Sequence, residues 1–328
     1  MTGVGASPSW TGPRGRAIDP LPVGHPGCYA DDAVVVERAT VPLADVARGP
    51  YDRVSARTAH FVLGSADGRL RLVHSLRPAD LDDDLAGLLD EELFASGWAS
   101  GSGTFERLFT GIVVSAGAGA DAGEGWEAFY RNSLRSLAGE RPSRAGGTLA
   151  EFGPVYERAL AEIPPGTVLD LGSCFGFLPL RLAERGASAV VASDISAGSM
   201  HLLETMGDRL GIAIETLVCD AAIVPLPDRA VDTVSAVHLL EHVDAEHGER
   251  VLAEAMRLAR RRVVVAVPFE EVPNAAYGHV RTLTLDDLTA LGAASGWRYR
   301  VSEDAGGWLV LERPARRRPA VRARDGRG

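Results

Sequence analysis

The sequence predicts an α/β fold in which a mostly parallel sheet carries helices on both faces, preceded by a small α+β domain. First, apolar runs and amphipathic segments alternate regularly from residue 165 onward, a pattern typical of βα units. Second, most of these runs end at polar residues, as expected where a parallel sheet binds ligands at the carboxyl ends of its strands. Third, an earlier block holds two β-prone runs around an Asp-Gly turn, which predicts a hairpin in a separate unit.

The domain organisation follows changes in composition along the 328 residues. The first residues are punctuated by Gly, Ser and Pro and lack the apolar segment of a secretory signal. A low-complexity Ala-Gly stretch separates two blocks and is typical of a flexible linker. The predicted units are a disordered N-terminus over 1–22, the small α+β domain over 23–115, the linker over 116–125, the large domain over 126–313 and a disordered Arg-rich tail over 314–328.

In the small domain, the run 33–38 is predicted to be a strand, and two runs around Asp67-Gly68 are predicted to pair as a hairpin. Leucines at three- and four-residue spacing predict a helix over 80–95. The apolar run 105–114 is of uncertain type. The block shows no catalytic constellation, and its histidines are interpreted as ordinary hairpin residues.

Two helices are predicted between the linker and the first βα unit, over 126–134 and 149–163. The first carries Trp126 and Tyr130 on one face. These aromatic side chains are expected either to pack against other helices or to form a lid over a ligand pocket.

The large domain is predicted to be built from strands and helices in alternation. The predicted strands cover 168–172, 189–193, 214–218, 231–237, 262–267, 298–301 and 308–312. The predicted helices cover 178–185, 198–210, 245–260 and 285–294. The last two strands have no helix between them, which favours an antiparallel hairpin at the sheet edge.

The first βα turn carries an acid, Asp170, followed by Gly172 and Gly176. Such a turn brings backbone N–H groups and a helix N-terminus close to a ligand, and glycine permits the close approach. The dinucleotide fingerprint G-x-G-x-x-G places a pyrophosphate there. A carboxylate at the strand end repels pyrophosphate and suits a cationic ligand with an amino group, so the turn favours a different class of cofactor.

This D-x-G-x-x-x-G turn resembles that of class I methyltransferases that use S-adenosylmethionine, and the resemblance covers about residues 145 to 312. It departs from the usual D-x-G-x-G-x-G at Cys174. The resemblance implies a Rossmann-like class I methyltransferase sheet and S-adenosylmethionine as the cofactor. The implied cofactor-binding residues are Asp170, Gly172, Ser173, Cys174, Gly176, Asp194, Ile195, Asp220, Ala221 and His238.

Three acids support a bound cofactor over a simple tight turn with no ligand. Asp194 lies 22 residues after Gly172, where an acid can hold two ribose hydroxyls. Asp220 follows the third predicted strand, where the resemblance implies contact with the adenine edge. Each could be a surface acid, but Asp170, Asp194 and Asp220 end three successive strands of one predicted sheet.

The catalytic candidates are Glu241, His242 and His279. A hydroxyl acceptor of a methyl group benefits from a base, and His238, Glu241 and His242 share one face if they lie on a helical turn. His242 is interpreted as a base that acts without a metal, in preference to a ligand of a divalent ion, because few further ligands are visible. No metal site is predicted. The plainer alternatives are a helix-cap residue for His242 and a loop histidine for His279.

Two rival classes of function remain. The segment from His238 to His242 matches H-x-x-E-H, a zinc-hydrolase motif that requires a long helix and a distant third ligand. Here it follows a β-rich run in a βα register, which disfavours the hydrolase. The other rival is a non-catalytic relative that binds the cofactor as a sensor.

The acceptor is suggested only by a further resemblance. The turn 171–180 and the N-terminal stretch 27–36 look like those of the mycofactocin oligosaccharide methyltransferase group. That group implies O-methylation of a glucose hydroxyl on the glycan of a peptide-derived redox cofactor. The alternative is a methyltransferase for a quinone or another natural product.

Charge and cysteine content indicate which kinds of binding partner and which cellular compartment to expect. The formal net charge is −10, although the segment 313–328 holds seven Arg and one Asp. An acidic body argues against a large nucleic-acid surface. Three widely spaced cysteines favour a reducing, cytoplasmic setting. No membrane span is expected, the partner is expected to be a small-molecule or glycosylated substrate, and no oligomeric state is predicted.

Overall fold

The computed structural model describes residues 18–22, 26–46, 53–117, 119, 121–273 and 278–314. Two sheets, one of five strands and one of seven, are joined by a layer of helices. The seven-stranded sheet has helices on both faces and follows a smaller sheet unit, so the predicted fold class is confirmed. Most of the predicted N-terminus and all but the first residue of the predicted tail lie outside the described residues.

The smaller sheet is mixed, with spatial order β1-β2-β5-β4-β3. Its strands are β1 (Cys28–Ala30), β2 (Val34–Arg38), β3 (Arg53–Arg57), β4 (Phe61–Ala66) and β5 (Arg69–His74). Strands β4 and β5 pair antiparallel across the turn at Asp67 and Gly68, which confirms the predicted hairpin. Strand β2 pairs with β5 in parallel.

The predicted helix over 80–95 is wrong as a single regular helix. A 3-10 turn (Pro78–Asp80) comes first, then α1 (Leu85–Leu89), then a π-helical turn (Asp90–Phe94). Tertiary contacts explain the break, because the Asp84 carboxylate accepts hydrogen bonds from the N–H groups of Arg144 and Leu149, at 2.8 and 2.9 Å. The uncertain run 105–114 belongs to α2 (Ser102–Ala116).

Both ends of the predicted linker over 116–125 are helical. Helix α2 ends at Ala116 and helix α3 (Gly123–Leu137) begins at Gly123. A Cβ atom on Gly125 would lie 1.9 Å from the backbone oxygen of Val113. Gly125 therefore permits helices α2 and α3 to cross closely. At this residue the glycine that suggested a flexible linker is required for helix packing.

The larger sheet has the spatial order β11-β12-β10-β9-β6-β7-β8. Its strands are β6 (Thr167–Leu171), β7 (Ala189–Asp194), β8 (Glu215–Val218), β9 (Val231–Val237), β10 (Ala259–Val267), β11 (Arg298–Glu303) and β12 (Gly307–Glu312). The helices are α4 (Thr148–Glu162), α5 (Phe177–Glu184), α6 (Ala197–Leu210), α7 (Ala245–Leu258) and α8 (Leu285–Ala294).

The first five of these strands run parallel, and β12 pairs antiparallel with both β10 and β11. The predicted closing hairpin is therefore confirmed. The predicted helix over 245–260 is too long, because Ala259 and Arg260 already belong to β10. The chain order reverses at β6, so the loops after β6 and β9 flank the switch point where such sheets bind ligands.

An aromatic cluster joins the N-terminal part of the chain to the larger sheet. Phe109 of α2 and Phe129 of α3 pack against Phe175, which lies in the loop after β6. Their ring centroids are 5.6 and 5.3 Å, respectively, from that of Phe175. Trp126 and Tyr130 are buried in the same cluster, which favours helix packing over a mobile lid. One hydrophobic core contains residues from both sides of the predicted linker, so the structure does not separate the two predicted domains there. The domain boundary at 115–126 therefore stays a prediction.

The predicted disordered N-terminus includes residues that are packed. The indole Nε1 of Trp126 donates a hydrogen bond of 2.7 Å to the backbone oxygen of Pro20. Over the described residues, no helix combines the length and apolarity needed to cross a membrane.

Candidate functional site

The loop after β6 adopts the left-handed conformations that its sequence favours. Gly172, Cys174 and Gly176 have φ values of 72°, 50° and 77°, and Gly176 begins helix α5. Cys174 occupies the position at which the sequence departs from the glycine pattern, and an L-residue costs roughly 1–2 kcal/mol there. A Cβ atom on Gly172 would lie 2.8 Å from Leu239 Cδ1, so glycine also permits the close approach of the β9 loop.

Asp170 lies beneath this loop and organises it. The side chain accepts hydrogen bonds from Ser235 Oγ at 2.6 Å and from Ser173 Oγ at 2.8 Å. The residue is 4% exposed, and burial raises the pKa of its carboxyl group to about 6, against the opposing effect of the two hydroxyl donors. Asp170 thus joins strands β6 and β9 to the loop and does not itself line the cavity described below.

Asp194 ends β7 and faces the same loop. Its Oδ2 accepts a hydrogen bond of 3.0 Å from the backbone N–H of Cys174, and its Oδ1 accepts one of 2.9 Å from that of Ser196. The carboxylate is therefore held in place by backbone donors at a partly exposed position. Each carboxylate oxygen has a further lone pair, so Asp194 can still accept hydrogen bonds from a diol.

Asp220, after β8, is held by a residue that the sequence did not single out. Its Oδ1 accepts from the N–H of Ala222 at 2.8 Å and lies 2.9 Å from Nε2 of His247. Both of these bonds end on Oδ1, which leaves Oδ2 as the atom to meet a ligand. His247 comes from α7, and nothing in the local sequence indicates that it reaches across 27 positions to Asp220.

These elements enclose a cavity of about 490 Å³ at the carboxyl ends of the strands. Six of the predicted site residues line it: Gly172, Asp194, Ile195, Asp220, Ala221 and His242. Eight lining residues were not predicted: Ser193, Cys219, Leu239, Val243, Asp244, His247, Val251 and Val280. The predicted residues outside the lining are Asp170, Ser173, Cys174, Gly176, His238, Glu241 and His279.

The catalytic candidates come together beside this cavity. Glu241 and His242 lie on a 3-10 turn (Leu240–His242) after β9, and His279 approaches from the loop before α8. The rings of His242 and His279 meet edge to face, with centroids 4.8 Å apart. One potential ligand atom from each of Glu241, His242 and His279 lies within 4.8 Å of the others.

The carboxylate of Glu241 is buried and lacks hydrogen-bond partners among the described residues. The residue is 1% exposed. Burial raises the pKa of its carboxyl group to about 8. The positive charge of Arg281 opposes this rise in pKa, but its Nε donates its hydrogen bond to the backbone oxygen of Leu240, at 2.9 Å, and not to the carboxylate.

His238 lies on the inner side of the same turn, with a positive φ of 53°. Its Nδ1 is 3.7 Å from Glu241 Oε1, and its Nε2 is buried without a partner in the described structure. Its ring lies 4.9 Å from that of Phe152. Burial, followed by the neighbouring histidines, lowers the pKa of His238 to about 4. His238, which was predicted to bind the cofactor, therefore lies next to Glu241 and not in the lining of the cavity.

Comparison with known proteins identifies the central segment. Residues 169–267 match the family model described as a methyltransferase domain, which confirms the predicted domain type over these residues. A demethylmenaquinone methyltransferase of Thermus thermophilus is 31% identical over 121 residues, which are 36% of this chain and 54% of that protein. The chain therefore spans about half the length of this curated relative.

Two of the solved structures that are similar to this chain are methyltransferases. The magnesium protoporphyrin IX methyltransferase of Synechocystis PCC 6803, with bound S-adenosylhomocysteine, is 16% identical and has a TM-score of 0.43. That similarity covers 56% of this chain and 94% of the other. An S-adenosylmethionine-dependent methyltransferase of Aquifex aeolicus is 20% identical, covers 55% and 96% of the two chains, and has a TM-score of 0.41.

Proposed function

We propose that this chain, whose residues 169–267 form a methyltransferase domain, transfers a methyl group from S-adenosylmethionine to a hydroxyl group of a small molecule or glycan. S-adenosylmethionine is the cofactor of that domain and supplies, when bound, a methyl group activated by its sulfonium sulfur. The observation that carries the proposal is a cavity lined by two carboxylates, Asp194 and Asp220, and by His242.

The residues of the cavity fit this cofactor. Asp194 is held by two backbone donors and can accept hydrogen bonds from the two ribose hydroxyls. Asp220 can accept from the amino group of adenine through Oδ2, while His247 holds its other oxygen. Leu239 and Val251 supply apolar surface for the purine ring. The buried Asp170 keeps the glycine loop in shape and places negative charge beneath the cationic part of the ligand.

The acceptor side requires two actions from the chain. It must align the acceptor with the methyl group, and orientation of this kind can contribute roughly 7–11 kcal/mol. It must also draw the proton from the hydroxyl, for which a positioned base contributes ~10²–10⁴-fold. We assign proton removal to His242, which lines the cavity, with Glu241 and His279 next to it. The acceptor oxygen bonds to the methyl carbon as the carbon–sulfur electron pair returns to sulfur.

For the acceptor, we propose a glucose hydroxyl of the mycofactocin oligosaccharide, supported by the resemblance of the turn 171–180 and the stretch 27–36 to that group. A quinone is the second candidate, supported by the similarity to a demethylmenaquinone methyltransferase. Mass spectrometry of extracts from cells with and without this protein distinguishes them, because a methyl group adds about 14 Da either to a glycosylated metabolite or to a quinone.

Titration calorimetry tests the cofactor assignment. The purified protein should bind S-adenosylmethionine, and Asp194→Ala should weaken binding by the roughly 1.5–3 kcal/mol of its charge-assisted hydrogen bonds. The matched control is Asp208→Ala, which removes an exposed acid of α6 and should leave the affinity unchanged. A wild-type protein that binds NADH and not S-adenosylmethionine would refute the proposal.

A further inference from the structure

We propose that Glu241, His242 and His279 bind one divalent first-row transition-metal ion at the acceptor side of the cavity. The catalytic consequence of this site rests on the proposed function, whereas the metal binding itself does not. The sequence alone favours His242 as a base that acts without a metal, because it shows too few further metal ligands. The structure supplies the ligands by bringing His279, from 37 positions further along the chain, to the turn that carries Glu241 and His242.

The distances suit a metal ion after a small adjustment. Zinc binds nitrogen and carboxylate oxygen at about 2.0–2.2 Å, so two of its ligand atoms can lie at most about 4.4 Å apart. The candidate ligand atoms of Glu241, His242 and His279 lie within 4.8 Å of one another. Rotations that move side-chain ends by a few tenths of an ångström would therefore close the site.

The burial and hydrogen bonding of Glu241 independently favour a cation beside its carboxylate. A buried carboxylate normally accepts several hydrogen bonds, and leaving one uncompensated is costly. Both oxygens of Glu241 are buried and have no hydrogen-bond partner among the described residues. His238 does not compensate them, because its Nδ1 is 3.7 Å from Oε1, beyond hydrogen-bonding distance.

The surroundings of the two histidines resemble the outer shell of a metal site. His279 Nδ1 lies 2.8 Å from Glu270 Oε2, and an imidazole held by a carboxylate in this way offers Nε2 as its ligand atom. His242 makes a hydrogen bond to the backbone of Gly278. Both rings are therefore oriented by the loop before α8, which contributes Gly278 and His279.

The donor set selects the class of metal. Two imidazoles and one carboxylate suit zinc, manganese or iron(II), whereas magnesium prefers oxygen ligands. Three protein ligands leave at least one position open, as in catalytic zinc sites. His242 lines the cavity, so the open position would face the acceptor. An ion there would lower the pKa of the acceptor hydroxyl. In that case His242 would act as a ligand of the ion instead of as the base, and the hydroxyl proton would pass to solvent.

The test begins with full-length protein stripped of metal by a chelator. Titration with zinc chloride, and separately with manganese chloride, should show one ion per chain, with magnesium chloride binding at least tenfold more weakly. Cobalt(II) should give a visible absorption spectrum typical of nitrogen and oxygen ligation. Glu241→Gln and His279→Gln should abolish the stoichiometric binding, and Glu270→Gln should weaken it roughly 10–100-fold.

The matched control is His60→Gln. His60 Nδ1 lies 2.6 Å from Glu92 Oε1, so it is also a histidine paired with a carboxylate, but it lies outside the group of three potential ligands. This variant should bind zinc as the wild type does. Circular dichroism and S-adenosylmethionine binding show whether each variant folds. In Glu241→Gln and His279→Gln, loss of the cobalt(II) spectrum with the circular dichroism spectrum and S-adenosylmethionine binding retained would identify a lost ligand and not a lost fold.

The outcomes separate the two proposals. Failure of the wild type to bind zinc or manganese at one ion per chain, or unchanged binding by Glu241→Gln, overturns the metal site. Either result leaves the proposed methyl transfer intact if S-adenosylmethionine still binds. Metal binding without any S-adenosylmethionine binding would instead refute the proposed function and keep the metal site.

Discussion

Two histidines, one in each sheet unit, each have a buried ring nitrogen but opposite surroundings. His74 ends β5, is 0% exposed and has both ring nitrogens satisfied: Nε2 lies 2.8 Å from Ser115 Oγ, and Nδ1 accepts from the N–H of Leu76 at 3.2 Å. His238 follows β9, and its buried Nε2 has no partner in the described structure. Its neighbour Glu241 is equally unsatisfied.

Burial alone does not distinguish the two. It lowers the pKa of His74 to about 3 and that of His238 to about 4, so each ring is held neutral near pH 7. Hydrogen bonding does distinguish them, because a satisfied polar group stabilises one packing arrangement whereas an unsatisfied one carries a cost that a ligand can remove. We therefore assign the His74 region to the fold and the turn at 238–242 to chemistry.

The largest expected effect is on turnover at the unsatisfied turn. His242→Ala should lower kcat by ~10²-fold or more while leaving the affinity for S-adenosylmethionine nearly unchanged, because the residue acts on the acceptor. Steady-state kinetics and calorimetry on the same preparations measure the two quantities. The exposed His201→Ala of α6 serves as the control. Full turnover in His242→Ala would show that the turn at 238–242 does not take part in the reaction.

The next effect is on stability at the satisfied histidine. His74→Phe leaves the Leu76 N–H without its partner and removes one of the two bonds of the Ser115 hydroxyl, which still donates to the backbone oxygen of Gly111. The free energy of unfolding should fall by about 1–3 kcal/mol. Cofactor affinity should not change. Urea unfolding followed by circular dichroism measures the loss, and an accompanying loss of cofactor binding would show that the His74 region is not purely structural.

The pH dependence of the same variant sharpens this result. The pKa of His74 is about 3 in the folded protein and near the ordinary histidine value of about 6.5 in the unfolded chain, so the unfolded chain binds more protons between these two pH values. The stabilising contribution is complete above pH 6.5 and falls with pH toward 3, by at most about 1.4 kcal/mol per unit. His74→Phe should lack this slope, whereas Ser115→Ala should keep it. Equal slopes in both variants would contradict the assignment.

The smallest effect is expected at an intermediate case, His247. It is partly exposed, it is paired with Asp220, and it lines the cavity. Because such pairs contribute about 0.2–1 kcal/mol, His247→Ala should raise the Kd for S-adenosylmethionine about 1.4- to fivefold, with little loss of stability. His247→Gln should restore most of the affinity, since its amide can also donate to Asp220. If calorimetry finds the same Kd for the wild type, His247→Ala and His247→Gln, His247 does not help to position the cofactor.

Local sequence patterns predicted much of the larger sheet. The strand, turn and helix around Asp170 could be read directly, because apolar runs, glycines and an acid act within a few residues of one another. The pairing of Asp220 with His247, and of His279 with Glu270, could not, since these contacts depend on how loops from different strands approach. The role of Gly125 was misread for the same reason: only the crossing of α2 and α3 shows that a side chain would not fit.

The sequence by itself determined the alternation of strands and helices and the strand ends at which Asp170, Asp194, Asp220 and His242 lie, because hydrophobic periodicity and turn chemistry are local properties. Tertiary structure alone decided which of these side chains share a cavity and which become buried. Glu241 gave no local sign that both of its oxygens would be buried without partners. That state arises because the β9 turn and the loop before α8 close over it, and desolvation depends on every surrounding element rather than on its neighbours in sequence.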